Sequence, residues 1–317
     1  MPEIDIAVPS YNCAPWIDAF FESVIAQDFT DWRVVARDDA STDGTAARLV
    51  WWQSRLGDRM IIVDGSGARN LGMVGNYDAV LAATSAPFVM FADPDDVWRP
   101  GKMVQSQQAM RKAEATAGAA VPVIVCTDAQ VVDDEQRPIS PSYWKWSRMN
   151  PTLGNTLHRL AVESPVLTST MMVNRALLRL ALPLTGCASC PDWWPALVAG
   201  AFGRIVYVPE RSVLYRRHPT NDSLDPFGSS LVGAVRRILM APGEPRRRVA
   251  RLIRQFAPQA GAFVDRFRDR LRPRDLAAVE AAARLPSLGA LARRWTVIRY
   301  DLWFSSPLKN FGLLLLM

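Results

Sequence analysis

The chain has 317 residues, of which 49% are hydrophobic and 21% are charged. This composition excludes an intrinsically disordered protein, and four cysteines are too few for a fold held together by disulfides. Residues 1–230 carry 20 basic and 25 acidic residues, a net charge of −5, whereas residues 231–317 carry 17 and 6, a net charge of +11. Because the positive charge is confined to the tail, we expect no nucleic-acid partner.

Short apolar runs alternate with amphipathic stretches along the first part of the chain. This alternation predicts repeated β–α–β units, and hence an α/β fold with a mostly parallel sheet. Ligands of such sheets bind beyond the carboxyl ends of the strands, so the polar residues found there carry the functional information. Strands are predicted at residues 4–8, 33–37, 60–63, 88–92 and 121–127, and helices at 15–27, 42–56, 71–83 and 101–115.

The pattern loosens after about residue 135. Further strands are predicted at residues 167–173 and 205–208, and a helix at 191–201. From residue 231 the sequence becomes helical and rich in arginine. We therefore predict an α/β domain over residues 1–230 and a basic helical extension over residues 231–317.

Polar segments follow the first two predicted strands. Residues 8–12 read VPSYN, and a simple turn explains this segment as well as a binding loop does. Residues 38–45 read DDASTDGT, whose hydroxyl side chains can cap the next helix. Capping does not need the paired Asp38 and Asp39, and an acidic side chain at such a strand end can accept hydrogen bonds from a base or a ribose. The pair therefore favours a nucleotide site.

Three carboxylates follow the fourth predicted strand, at Asp93, Asp95 and Asp96. Carboxylates this close repel one another unless a cation lies among them. Hard divalent ions such as Mg²⁺ and Mn²⁺ prefer oxygen ligands and also bind phosphates. A solvated acidic turn is the structural alternative, but a metal–diphosphate site explains the cluster better.

Two further residues are candidates on local grounds. Asp192 precedes Trp193 and Trp194, a pattern that suits a helix start or a sugar site in which the aromatic rings stack on a pyranose and the carboxylate acts as a base. His218 ends the basic segment 215–218, YRRH. A lone histidine there is either structural or a contact to phosphate or metal.

Five motifs together resemble family 2 inverting glycosyltransferases, and within that family the rhamnosyltransferase-like branch that builds bacterial surface polysaccharides. They are residues 8–12, 38–45, 69–72 (RNLG), 93–98 (DPDDVW) and 215–218. The resemblance covers roughly residues 3–225. It implies a GT-A fold, in which a mixed, mostly parallel sheet is flanked by helices and binds a nucleotide.

The resemblance also implies roles for the candidate residues. The donor nucleotide sugar would be bound by Pro9, Tyr11, Asp38, Asp39, Asn70, Asn76 and Asp93. Mg²⁺ or Mn²⁺ would be bound by Asp93, Asp95 and His218, and Asp192 would be the general base. Relatives often have a histidine before the base, where this chain has Pro191.

The expected substrates follow from the same resemblance. The donor is expected to be a dTDP- or UDP-sugar that carries rhamnose or another hexose or deoxyhexose. The acceptor is expected to be a glycan or a polyprenyl-diphosphate-linked glycan.

Two other functions stay open. An aspartyl-phosphate phosphatase would use Asp93 as the nucleophile and Asp95 as the acid/base, but this leaves residues 8–12 and 38–45 unexplained. A non-catalytic module that binds nucleotide sugars or glycans is the second alternative. The presence of all three candidate catalytic carboxylates argues against it.

The basic tail has two interpretations. Its arginines are followed by Trp295, Tyr300, Trp303 and Phe304 and by an apolar end at residues 311–317. The helices either present a solvated basic face or form an interfacial anchor, with arginines on anionic headgroups and aromatic rings at the boundary.

The expected location follows from signals that the sequence lacks. Its first residues do not form a signal peptide, and no stretch has the ~18 uninterrupted apolar residues of a spanning helix. We therefore expect a cytoplasmic protein. If the tail is an interfacial anchor, the protein docks peripherally on the inner face of the cytoplasmic membrane.

Overall fold

The computed structural model describes residues 1–63, 69–184, 186, 188, 190–218 and 243–316. These residues belong to two compact units. The first comprises Met1–Tyr143 and Val166–His218, and the second comprises Trp144–Pro165 and the C-terminal helices. Residues 231–242 of the predicted extension lie outside the described residues.

The first unit is built on a mixed sheet. Its strands are β1 (Ile4–Ser10), β2 (Trp32–Asp38), β3 (Met60–Ile62), β4 (Phe88–Phe91), β5 (Val97–Trp98), β6 (Val123–Val132), β7 (Pro138–Ser140), β8 (Met171–Asn174) and β9 (Arg204–Arg216). The strand order is β3-β2-β1-β4-β8-β6-β9-β5, with β7 paired to β6. Strands β1 to β4 run parallel, whereas β8 runs antiparallel to both of its neighbours. The predicted α/β architecture is therefore confirmed.

Helices flank the sheet and form the second unit. They are α1 (Ile17–Ile25), α2 (Thr45–Leu56), α3 (Gly72–Ala82), α4 (Lys102–Ala117), α5 (Tyr143–Trp146), α6 (Leu157–Leu160), α7 (Arg175–Ala181), α8 (Trp193–Phe202), α9 (Gly243–Phe267), α10 (Pro273–Arg284), α11 (Ala290–Arg299) and α12 (Pro307–Leu316). Helix α1 shows why the sequence pattern works: it buries Ile17, Phe20, Phe21 and Val24, which share one helical face.

Three predicted strands differ from the structure. Strand β6 continues five residues past its predicted end, and β9 extends from Arg204 to Arg216 instead of covering 205–208. The two strands pair in parallel along this length, with register shifts near Asp128. Pairing therefore carries β9 through Pro209 and Glu210, which interrupt its apolar run. The strand predicted at residues 167–173 begins only at Met171, after a 3₁₀ turn at Thr168–Thr170.

The second unit contains a buried ion pair. The Lys309 ammonium lies 2.7 Å from Glu163 Oε1, and the Ser305 hydroxyl donates to Glu163 Oε2 at 2.6 Å. Both charged side chains are more than nine-tenths buried. These contacts hold the segment after α6 against the start of α12. No helix among the described residues is long and apolar enough to cross a membrane.

Candidate functional site

The carboxyl ends of β1, β2 and β4 lie at one edge of the sheet. In the parallel ladders Ser10 pairs with Asp38, and Ala7 pairs with Phe91. The loops that follow these strands therefore leave the sheet side by side. All the candidate residues that the sequence places after these strands lie in these loops or at the strand ends.

The loops after β1 and β2 are joined by hydrogen bonds. The Asn12 amide donates to Ser41 Oγ at 2.9 Å, and the Thr42 amide donates to Asn12 Oδ1 at 2.8 Å. The Cys13 amide donates to Thr45 Oγ1 at 2.9 Å. Asn12 has a positive φ of 47°, which asparagine tolerates better than most residues. Much of the segment DDASTDGT therefore has a structural role.

Both carboxylate oxygens of Asp39 accept hydrogen bonds from donors inside the protein. Its Oδ1 accepts hydrogen bonds from the Arg37 guanidinium at 2.6 Å and from the Leu71 amide at 2.8 Å. Its Oδ2 accepts from the Gly72 amide at 2.9 Å. The carboxylate thus neutralises a buried arginine and binds amides at the start of α3. Its predicted contact with a nucleoside stays a prediction.

Asp38 differs from Asp39, because only one of its two carboxylate oxygens accepts a hydrogen bond within the described residues. Its Oδ2 accepts a hydrogen bond from the Ser41 amide at 3.0 Å. Its Oδ1 is buried and meets no hydrogen-bond donor among the described residues. A buried acceptor without a donor costs free energy, so this oxygen is suited to a donor from a ligand. Tyr11 is 54% exposed beyond the end of β1, and Pro9 is partly exposed within it.

The two candidate asparagines support the loop before α3. Asn76 is buried; its Oδ1 accepts from Arg37 at 3.0 Å and its Nδ2 donates to Ser10 O at 3.3 Å. Asn70 is exposed; its Nδ2 donates to Asp39 O at 2.9 Å and its Oδ1 accepts from the Gly72 amide at 3.1 Å. Their proximity to a donor sugar stays a prediction.

Asp93 lies directly after β4, beside a buried phenol. The Tyr77 hydroxyl donates to Asp93 Oδ1 at 2.7 Å. Burial, together with the negative charges of Asp95 and Asp192, raises the pKa of Asp93 above its usual value. A divalent cation would remove this penalty, because positive charge stabilises the ionised form.

Asp95 contacts His218 because β5 pairs antiparallel with β9, which brings the end of β9 to the acidic loop. His218 Nε2 lies 3.0 Å from Asp95 Oδ2. The imidazole stacks on the Trp16 ring with the ring centroids 4.1 Å apart, and Trp16 Nε1 donates to Asp134 Oδ1 at 2.8 Å. Trp16 was not among the residues predicted for the site, because its position after the first strand gave no sign of this contact.

The third carboxylate of the acidic loop has a structural contact. Asp96 is buried, and its Oδ1 accepts from the Arg216 amide at 2.9 Å, while Arg216 Nε donates to Asp95 O at 2.8 Å. Burial and the neighbouring Asp95 raise the pKa of Asp96 well above its usual value. Arg216 therefore fixes the backbone of the acidic loop.

Asp192 stands at the N-cap position of α8 but does not cap it through its side chain. Instead, Thr168 Oγ1 donates to Asp192 Oδ2 at 3.1 Å. Burial raises the pKa of Asp192 to about 6. Trp193 and Trp194 are both buried, so the expectation that they stack on a sugar is wrong. The apolar face of α8 buries their rings in the core.

The buried Tyr77 hydroxyl binds Asp93 and is influenced by the charges of two further carboxylates. Burial and the charges of Asp93, Asp192 and Asp95 raise the pKa of this hydroxyl well above the usual value. The 3₁₀ turn before β8 links two of them, because Thr168 binds Asp192 and the backbone of Ser169 binds Asp93. Neither Tyr77 nor this turn was predicted from the sequence, in which the residues of the turn have the pattern of a strand.

The candidate metal ligands fit a cation that is shared with a substrate. Within the described part of the chain, no group of three His, Cys, Asp or Glu side chains is arranged to hold a metal ion by itself. Mg²⁺ and related ions are often held by one or two carboxylates together with phosphate oxygens. The carboxylates of Asp93 and Asp95 and the imidazole of His218 are a suitable partial set.

Comparison with known proteins shows the family of the chain. The sequence profile of Glycosyl transferase family 2 matches residues 5–178. An uncharacterized glycosyltransferase of Nostoc sp. is 23% identical over 70% of this chain and 67% of its own length. The Escherichia coli UDP-Glc:α-D-GlcNAc-diphosphoundecaprenol β-1,3-glucosyltransferase is 28% identical, but over 34% of this chain and only 41% of its own length.

Two solved structures resemble the fold. Staphylococcus aureus TarS 1–349 in complex with UDP-GlcNAc has a TM-score of 0.52 and 15% identity, over 94% of this chain and 89% of that one. The mannosyltransferase PcManGT from Pyrobaculum calidifontis, in complex with GDP-Man and Mn²⁺, has a TM-score of 0.52 and 18% identity, over 99% and 84%. At these identities the likeness concerns the fold, and it confirms the predicted GT-A-like architecture.

Proposed function

The chain belongs to glycosyl transferase family 2, and from that premise we propose that it is a metal-dependent, inverting enzyme of bacterial surface polysaccharide synthesis. It transfers rhamnose or another hexose or deoxyhexose from a dTDP- or UDP-sugar to a glycan or a polyprenyl-diphosphate-linked glycan. The observation that carries this proposal is that the turn Thr168–Thr170 binds both Asp93, in the acidic loop, and Asp192. A cation site and a general base must be near each other if they serve one sugar.

The nucleoside would bind at the ends of β1 and β2. The buried Asp38 Oδ1 can accept a hydrogen bond from an N–H of the base or a hydroxyl of the ribose. The exposed Tyr11 ring offers a stacking surface for the base. Uracil and thymine both carry an N–H donor, which agrees with a UDP- or dTDP-sugar.

Asp93, Asp95 and His218 would hold Mg²⁺ or Mn²⁺ against the diphosphate. When bound, the cation supplies positive charge that offsets the negative charge of the departing nucleoside diphosphate. Tyr77 holds the Asp93 carboxylate in place, and the stacked Trp16 holds the His218 ring. These contacts fix the ligands before the substrate arrives.

Asp192 would act as the general base. Its carboxylate removes the proton from the acceptor hydroxyl, whose oxygen attacks the anomeric carbon from the face opposite the diphosphate. The new glycosidic bond forms as the bond to the diphosphate breaks, so the anomeric configuration is inverted. A pKa of about 6 leaves Asp192 mostly ionised at neutral pH and basic enough to accept this proton.

The proposed acceptor is linked to a lipid, which agrees with a proposed location at the membrane. The E. coli relative acts on a diphosphoundecaprenol-linked sugar, and we propose an acceptor of the same class for this chain. We also propose that the enzyme acts in the cytoplasm, on the inner face of the cytoplasmic membrane. Our proposed division is a catalytic domain over residues 1–230 and a helical extension over residues 231–317.

A nucleotide panel followed by a product analysis tests this function. The melting temperature is measured with UDP, dTDP, GDP and CDP, each with Mn²⁺ and with EDTA, because a ligand of the native state raises it. The sugar nucleotides of the best base are then incubated with lipid-linked acceptors, and the anomeric configuration of the product is read by NMR. We expect a Mn²⁺-dependent rise with UDP or dTDP and an inverted product.

The same samples separate the other functions. Hydrolysis of p-nitrophenyl phosphate and trapping by beryllium fluoride would instead support an aspartyl-phosphate phosphatase. Binding of a nucleotide sugar without turnover on any acceptor would support a binding module. A product with retained configuration would contradict the role of Asp192 as a base.

A further inference from the structure

Helix α11 presents its large apolar side chains outward. Leu291, Trp295 and Ile298 are 79%, 61% and 59% exposed. At 3.6 residues per turn these three positions lie within an arc of about 60°, so they form one continuous stripe. The opposite side of the helix buries Thr296 and Val297. An ordinary surface helix has its apolar stripe facing the core, so the orientation of α11 is the reverse of the usual one.

The helix is held in this orientation by its arginines. Arg293 Nε donates to Leu285 O at 2.9 Å, and Arg294 Nε donates to Leu314 O of α12 at 2.7 Å. The two guanidinium groups therefore bind backbone carbonyls of their own unit instead of covering the stripe. Helix α12 adds a further exposed ring, Phe311, which is 68% exposed.

Positive charge and aromatic character accompany the stripe. Arg299 is exposed one turn after Trp295, at the border of the stripe. Residues 231–317 carry a net charge of +11. On α9 a second set of arginines, Arg247, Arg251 and Arg254, is exposed on one face. A tryptophan within an apolar stripe that is bordered by arginine suits the boundary between headgroups and acyl chains.

We propose that the α11 stripe, defined as Leu291, Trp295 and Ile298, is a docking face that inserts into the surface of an anionic phospholipid bilayer. The apolar side chains enter the interface, and Arg299 at the border of the stripe contacts anionic headgroups. A protein partner would also bury the stripe, but the charge of this unit favours an anionic surface. The proposal goes beyond sugar transfer and does not depend on it.

The structure sharpens the expectation drawn from the sequence. Of the aromatic residues predicted at the boundary, Trp295 is well exposed, whereas Phe304 is buried and Tyr300 and Trp303 are partly buried. Leu291 and Ile298 were not predicted to be exposed, because an isolated leucine or isoleucine in a helix usually faces the core.

Vesicle flotation with the whole 317-residue chain tests the proposal. The vesicles contain phosphatidylcholine alone or phosphatidylcholine with phosphatidylglycerol, at low and high salt. We expect binding to the anionic vesicles that weakens with salt, and a loss of at least about tenfold in the variant Leu291→Gln/Trp295→Gln/Ile298→Gln. The control Val50→Gln/Ile139→Gln/Leu153→Gln changes three scattered, similarly exposed apolar residues and should bind like the wild type.

A fluorescence measurement keeps the test independent of any folding defect. Brominated lipid should quench part of the tryptophan emission in the wild type and in the control Trp51→Phe, and this quenched part should be absent in Trp295→Phe. Wild-type affinity in the triple glutamine variant would overturn the proposal. So would a stripe that instead forms a dimer, seen as concentration-dependent sedimentation without vesicle binding. Because only lipid is used, failure here leaves the proposed sugar transfer untouched.

Discussion

Buried carboxylates lie at two places along the sheet edge, at the ends of β1 and β2 and near the end of β4. Their negative charge is offset at the first place and not at the second. At the ends of β1 and β2, the carboxylate of Asp39 is neutralised by Arg37 and by backbone amides, and one buried oxygen of Asp38 is left over. Beyond the end of β4, burial and the negative charges of Asp95 and Asp192 raise the pKa of Asp93. Burial raises the pKa of Asp192, at the start of α8, to about 6. A buried carboxylate whose charge is offset inside the protein has a structural role. A buried carboxylate whose charge is not offset is suited to bind a cation or to react with a substrate.

The largest effect on activity is expected at Asp192, whose buried carboxylate has no cation partner among the described contacts. Replacing Asp192 with asparagine keeps the shape of the side chain but removes the base, so turnover should fall by roughly 10²–10⁴-fold. Donor binding should hardly change, because the proposed base acts on the acceptor hydroxyl and not on the nucleotide. Steady-state kinetics and nucleotide titration of Asp192→Asn measure both quantities. The remote, exposed Asp58→Asn serves as the control, and near-normal turnover in Asp192→Asn would place the base elsewhere.

Substitution of the buried ion pair at the end of β2 should lower the free energy of unfolding. Arg37→Met leaves the Asp39 carboxylate buried without its cation, and breaking such a pair costs about 3–5 kcal/mol. Urea unfolding of the variant measures the free energy of unfolding. Arg48→Met breaks the half-exposed pair with Asp18 and should cost about 1 kcal/mol or less. Equal losses in the two variants would contradict the distinction.

Asp38 should show the behaviour of a binding residue. Its unsatisfied Oδ1 predicts that Asp38→Asn lowers the affinity for the preferred nucleotide by about tenfold and changes the melting temperature little. Asp39→Asn should instead lower the melting temperature, because Asp39 accepts hydrogen bonds from Arg37 and from the start of α3. Isothermal titration and thermal unfolding of both variants are the measurements. Loss of stability in Asp38→Asn without loss of affinity would reverse the assignment.

The pH dependence of the reaction should follow the base. The base must be ionised, and burial raises the pKa of Asp192 to about 6, so kcat should rise as the pH increases through about 6 and then level off. Below that pH the rate should fall by about tenfold per pH unit. The profile is measured with saturating Mn²⁺ and donor. A rate that stays constant from pH 5 to 8 would exclude Asp192 as the titrating base.

The sequence predicted the parts of the site that are local in the chain. The apolar runs predicted the strands, and the acidic and polar residues at their ends lie at one edge because parallel strands share a direction. It did not predict that Asp39 and Asn76 are occupied by Arg37, because that depends on distant residues meeting. Trp16, Tyr77 and the turn at Thr168–Thr170 were missed for the same reason.

The measurement closest to the central claim is nucleotide binding with and without a divalent cation. UDP and dTDP are titrated into the wild type, Asp95→Asn and the exposed control Asp28→Asn, each with Mn²⁺ and with EDTA. We predict that Mn²⁺ tightens binding by about tenfold or more in the wild type and the control, and has no effect in Asp95→Asn. An affinity in Asp95→Asn that is still raised by Mn²⁺ to the wild-type value would contradict the cation site.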